Sequence, residues 1–140
     1  MGHAETFEHT ADLGLRIVAS DLPDLFRTAA AGLFDVIVAN RAEVRDQDEE
    51  TLSLAAESTE DLLLSWLNEL IYRCETRHRL YHRFDVDVDA SDNHLEATIA
   101  GEPIDRDRHI LDHEVKAATR HGLVVRPEGG GWLAEVILDI

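Results

Sequence analysis

Carboxyl groups near the two ends of this chain offer the clearest chemistry in it. Asp12 lies in the short polar break Glu8-His9-Thr10-Ala11-Asp12-Leu13-Gly14, between two stretches that alternate like strands, and Asp139 precedes the terminal carboxylate of Ile140. Oxygen-only donors of this kind suit a hard divalent cation, and they serve calcium, magnesium and manganese alike. Asp12 can join the other two only if the first and last strands meet. Lys116 and His121, on one predicted strand, add an ammonium and an imidazole. Lys116 is the single lysine beside twelve arginines, so it marks a position where a compact point charge replaces the planar fork used everywhere else.

Other constellations carry less. Asp85, Asp87, Asp89 and Glu96 fall on the first, third, fifth and twelfth places of a calcium-binding EF-hand loop. However, Ala90 stands where that loop needs glycine, Asp92 where an apolar residue is expected, and no helix precedes the run. The alternation of Phe84, Val86, Val88 and Ala90 with the aspartates predicts a hairpin strand instead. His109 and His113 are four apart, as in a helical zinc site, but the glutamate of that motif is missing and Pro103 argues against a long helix. They are expected to be surface or loop histidines. Cys74 falls on an apolar helical stripe and reads as a small core residue, not a nucleophile. Gly129-Gly130-Gly131 has no following helix, so it predicts a hairpin turn and not a phosphate cradle.

The elements that must position these residues follow from periodicity. Residues 6–8 and 13–18 read as strands. Asp21 is an N-cap with Pro23 in the first turn, opening a helix to about Val38. The charged segment 40–50, with a possible short strand at Val44, leads to a strand over 51–56. Ser58-Thr59-Glu60-Asp61 caps the strongest amphipathic helix, whose stripe is Leu62, Leu63, Trp66, Leu67, Leu70, Ile71 and Cys74. After a loop around Arg77 come a hairpin over 84–99, a polar loop over 102–112, a strand over 115–125, a turn over 127–131 and a last strand over 132–140. These elements predict a single α+β domain over residues 1–140, with two main helices packed on a mainly antiparallel β-sheet.

Composition limits the function classes. The 29 acidic residues against 13 basic ones give a formal net charge of -16. A field of that sign disfavours stable direct binding to nucleic acid and favours cations or a basic protein surface as partners. One cysteine excludes an intrachain disulfide. No stretch reads as a membrane span or secretory leader, so a soluble, cytoplasmic protein is expected.

Five blocks resemble one family. His9-Thr10-Ala11-Asp12-Leu13-Gly14, Leu67-Asn68-Glu69-Leu70, Gly101-Glu102, the run from Glu114 to His121, and Leu138-Asp139-Ile140 stand in the order and spacing of the archeases. These are small single-domain proteins that activate the GTP-dependent RNA-splicing ligase joining tRNA exons. The resemblance implies a non-enzymatic activator of that ligase, acting in tRNA splicing and promoting its guanylylation and turnover. It also implies a divalent cation, calcium first and otherwise magnesium or manganese, on Asp12, Asp139 and the Ile140 carboxylate. His9, Lys116 and His121 would be interface or site-supporting residues. Where family members often carry an aromatic, this chain has Arg120, so contacts of that ring do not carry over. Two readings of other classes stand beside this one: a metal-dependent phosphoester hydrolase using Asp12 with His121 or Lys116, and a plain acidic interaction module.

Overall fold

In the computed structural model, described for residues 2–9 and 12–140 and for the backbone alone at Glu8 and His9, all the pairings are antiparallel. The elements run β1 (His3–His9), β2 (Asp12–Ala19), α1 (Leu22–Ile37), a short 3-10 turn (Arg41–Glu43), β3 (Asp48–Ala55), α2 (Thr59–Arg77), β4 (Arg79–Asp89), β5 (His94–Pro103), β6 (Ala117–Glu128) and β7 (Gly131–Asp139). The strands form two sheets instead of one, with orders β1-β2-β7-β6 and β3-β5-β4. The expected α+β class holds. The division into two sheets is not visible in periodicity, which reports which face of a strand is buried and not which strand lies beside it.

Both helices start as their sequences dictate. The Asp21 carboxylate accepts the Asp24 amide at 2.8 Å, and the Ser58 hydroxyl accepts the Asp61 amide at 3.1 Å, so each cap satisfies an amide that has no partner within its helix. Asp24 itself is buried and accepts the amides of Ser20 and Gly2, which ties the start of the chain to α1. Burial would raise its pKa, but the Ser20 amide and the Arg27 guanidinium outweigh that and lower it.

The helices lie against both sheets, and one core runs between them. Trp66 of α2 is fully buried and donates its indole N–H to the Phe26 carbonyl of α1 at 2.9 Å, so the largest core side chain also satisfies its one polar atom. Phe34 packs edge-on to Tyr81 and stacks on Phe84. Each such burial contributes about 1.5–3 kcal/mol relative to an exposed side chain.

Several element boundaries differ from expectation for local reasons. β4 begins directly after the left-handed cap at His78 (φ 54°), where a loop is expected. Its early half hides from a two-residue period because the register shifts between Tyr81 and Arg83, which lets Leu80 and Tyr81 both be buried. Val44 is buried, but it follows the 3-10 turn and belongs to no strand. Pro127 lies within β6, which continues to Glu128 before a turn through Gly129 and Gly130, both at positive φ. The hairpin of β4 and β5 is confirmed, with Asp85, Asp87 and Asp89 on its exposed face.

Candidate functional site

The first and last strands do meet. Leu13 pairs with Leu138 across β2 and β7, and one step further that register sets Asp12 opposite Asp139. On the other side, Asp139 pairs with Ala117 of β6, and the Lys116 amide donates to the Asp139 carbonyl at 2.7 Å, extending the ladder one residue. His9, which pairs with Asp12, is the last residue of β1. The sheet order therefore draws His9 and Asp12, Asp139 and Lys116 to one end of one sheet.

The pleat decides which way they face. Leu138 and Ala118 are buried against the helices, so their neighbours Asp139 and Ala117 stand on the opposite face, together with Asp12. Phe7 and Gly14 are paired on that same outer face. A Cβ at Gly14 would lie 2.2 Å from Phe7 Cζ, so glycine there makes room for the ring, and Arg16 lies over the ring at 4.9 Å from its centroid. Asp139 is exposed and Asp12 half-buried, and neither has an ion-pair partner among the described residues. Lys116 is exposed and likewise without an ion pair among them.

His121 is placed differently from a regular strand position. β6 shifts register between Thr119 and Val124, and His121 lies in the resulting bulge beside Gly122 (φ 68°). Arg120 reaches from the same bulge to Asp61 at the start of α2. The His9 side chain lies outside the described part of the structure.

Asn68, quoted above only as part of a motif, has a specific role. From α2 its side chain donates to the Ala118 carbonyl at 3.0 Å and accepts the Ala118 amide at 2.9 Å. It thus satisfies both backbone groups of a residue on the free edge of the sheet, next to the residue that pairs with Asp139. A lone amide side chain next to an apolar helical stripe is the sequence signal for such a clamp.

A second acidic centre was not anticipated. Glu102, near the end of β5, is 2% exposed and accepts the Arg45 amide at 2.8 Å, the Arg108 guanidinium, and His109 Nε2 at 2.9 Å. The Asp105 amide donates to His109 Nδ1 at 2.9 Å, which leaves the hydrogen on Nε2 to point at Glu102. Burial pushes the Glu102 carboxyl up, but Arg108, the Arg45 amide and His109 together hold it down at about 2. Both histidines lie in loops, as expected; His113 is exposed, while His109 is buried. Cys74 packs against the core as expected, and burial with the nearby Glu75 pushes its thiol up to about 11, so it stays protonated.

The donors at the strand junction fit a hard cation. They are carboxylate oxygens on adjacent strands, and neither carboxylate makes an ion pair among the described residues. No group of three or more His, Cys, Asp or Glu side chains is arranged for a metal among the described residues. The junction brings two side-chain carboxylates onto adjacent strands.

The chain matches the archease protein family (MTH1598/TM1083) over residues 5–140. It is 34% identical to protein archease of Pyrococcus furiosus, over 97% of each chain, and 36% identical to that of Methanopyrus kandleri, over 97% of this chain and 98% of the other. The solution structure of Methanobacterium thermoautotrophicum protein 1598 superposes with a TM-score of 0.85 at 34% identity, covering 98% of both chains. A crystal structure from Thermotoga maritima, described as an archease and possible chaperone, shares the fold at a TM-score of 0.67 and 21% identity, covering 97% of this chain and 96% of the other. Family match and structural likeness span nearly the same residues, and this chain belongs to the archease family.

Proposed function

We propose that this protein is a non-enzymatic activator of a GTP-dependent RNA-splicing ligase, acting through a divalent cation held by Asp12, Asp139 and the carboxylate of Ile140. Calcium is the first choice of metal, with magnesium or manganese as alternatives for the same oxygen donors. The observation that carries this reading is the register of β2 on β7, which, continued by one step, brings half-buried Asp12 opposite exposed Asp139. Family membership supports it.

The chain's own residues have separable tasks. Asp12 and Asp139 supply charge on a rigid sheet, where backbone pairing and not side-chain reach fixes their spacing. Asn68 holds the β6 edge against α2, and so keeps Ala117 and Lys116 in pairing with Asp139. Lys116 and His9 flank the carboxylates along the sheet end, and His121, in the β6 bulge, is assigned a supporting role at the interface. When bound, the cation would neutralise and position phosphate charge in the ligase's nucleotidyl transfer. The surplus of acid favours encounter with a basic RNA-binding cleft while keeping the activator off RNA itself.

The test is ligase stimulation by the Asp12→Ala protein, with circular dichroism as the folding control. Stimulation is expected to disappear while the spectrum is unchanged. Undiminished stimulation refutes the reading, and metal-dependent phosphoester turnover by this protein alone would point to a hydrolase.

A further inference from the structure

Ten of the twelve arginines in this chain are ion-paired with carboxylates: 16, 27, 41, 73, 77, 79, 83, 108, 120 and 126. The remaining two, Arg45 and Arg106, have no ion pair or side-chain hydrogen bond among the described residues. Both line the same shallow polar depression, about 510 Å³ in volume, between the segments 45–47 and 102–108.

Scarcity of partners does not explain this. Carboxylates exceed cations by 29 to 13 in the chain, and acidic residues adjoin both arginines in sequence. Asp46 pairs with His82 and Arg83 and Asp105 with Arg108, while Asp107 makes no ion pair with Arg106. Two guanidiniums are thus left open in one depression of a strongly acidic protein.

The floor of that depression is rigid. Glu102 beneath it accepts the Arg45 amide and the Arg108 guanidinium, fastening the two segments together. Asp105 holds the turn that carries Arg106, since its carbonyl accepts the amides of Arg108 and His109 and its carboxylate accepts the Asp107 amide. Arg108 is fully engaged, with Glu102, Asp105 and the Glu43 carbonyl. The groups left to meet a ligand are Arg45, Arg106 and the Gln47 side chain, all exposed.

We propose that this depression is an oxyanion site that takes a small phosphate group through Arg45, Arg106 and Gln47. Two planar guanidiniums and an amide offer more donors than a carboxylate has acceptors for, and they match the three or more oxygens and the higher charge of a phosphate. The overall negative field does not prevent this for a small ligand, because salt screens it beyond about 10 Å while the two guanidiniums act at contact. The same field opposes an extended polyanion. The site is separate from the carboxylates of the strand junction and does not depend on their role.

Titration of the intact protein with inorganic phosphate and with pyrophosphate, followed by amide and arginine Nε chemical shifts at constant ionic strength, tests the proposal. Saturable shifts at residues 45–47 and 104–108 are expected, with pyrophosphate the tighter ligand. Arg45→Ala or Arg106→Ala alone should weaken binding about tenfold, and the double variant should abolish it. Because both side chains are exposed and unpaired, thermal midpoints should not change, which keeps lost binding distinct from lost fold. Shifts that never saturate, or that persist in the double variant, overturn the proposal. Equal binding of acetate and phosphate also overturns it, by identifying a carboxylate ligand such as an acidic segment of a partner protein.

Discussion

Glu102 and Asp139 are both carboxylates at the ends of antiparallel strands, and their surroundings are opposite. Glu102 is buried and receives hydrogen bonds from a guanidinium, a backbone amide and an imidazole. Asp139 is exposed, lies one step beyond the Leu13–Leu138 pair on the side of Asp12, and makes no ion pair among the described residues. A buried charge must be satisfied within the fold or the fold does not form, so the partners of Glu102 identify it as structural. Two carboxylates side by side with no ion pair contribute little to stability, and theirs is the position the proposed cation would occupy.

The sharpest way to break that comparison is to remove the buried member. Glu102→Ala leaves the Arg108 charge, the His109 Nε2–H and the Arg45 amide without their acceptor, and is expected to cost about 3–5 kcal/mol in urea unfolding. A loss below about 1 kcal/mol would mean that water replaces the carboxylate and that Glu102 does not fasten the two loops.

A related effect appears with pH. The folded carboxyl of Glu102 is held at about 2, below its ordinary value of 4.5, so its contribution is fully present above about pH 4.5 and is lost as pH falls toward 2. A depression of that size corresponds to about 3 kcal/mol. Glu50 and Asp24 are also lowered and add to the slope with the same sign. Glu102→Gln should remove the Glu102 share of the acid-induced loss in unfolding titrations while leaving the remainder.

Next in size is Asn68→Ala. Loss of both hydrogen bonds to Ala118 should cost about 1–3 kcal/mol and speed hydrogen exchange of the Ala118 amide, while distant strands such as β3 keep their protection. Uniform loss of protection would instead make Asn68 an ordinary part of the global fold.

The sequence exposes these two centres unequally, for physical reasons. Both helices, their caps Asp21 and Ser58, and the hairpin of β4 and β5 are legible because each rests on contacts within a few residues. Asp12 and Asp139 are chemically visible in the sequence, but their adjacency depends on strand order, which the family resemblance implies and no local pattern carries. Glu102 and His109 escape because a glutamate beside Pro103 in a charged stretch looks like surface. Only the folding of that stretch back on itself, with Asp105 holding the turn, buries them. The bulges at Tyr81 and at His121 defeat a two-residue period in the same way.

The smallest expected effect on stability is the one that decides the other half of the comparison. Asp139→Asn keeps shape and hydrogen-bonding capacity and removes one charge from an exposed position. Backbone pairing to Ala117, and from Asp139 to the Lys116 amide, is untouched by the change. Unfolding free energy should therefore move by no more than about 0.5 kcal/mol, and any shift should be toward greater stability, since Asp12 loses a like-charged neighbour. Calcium affinity, measured by calorimetry on the same preparation, should fall at least about tenfold, because a neutral amide oxygen replaces an anionic ligand. If Asp139→Asn instead destabilises the protein by more than about 1 kcal/mol and leaves calcium affinity unchanged, Asp139 is a structural carboxylate like Glu102, and the strand junction is not a metal site.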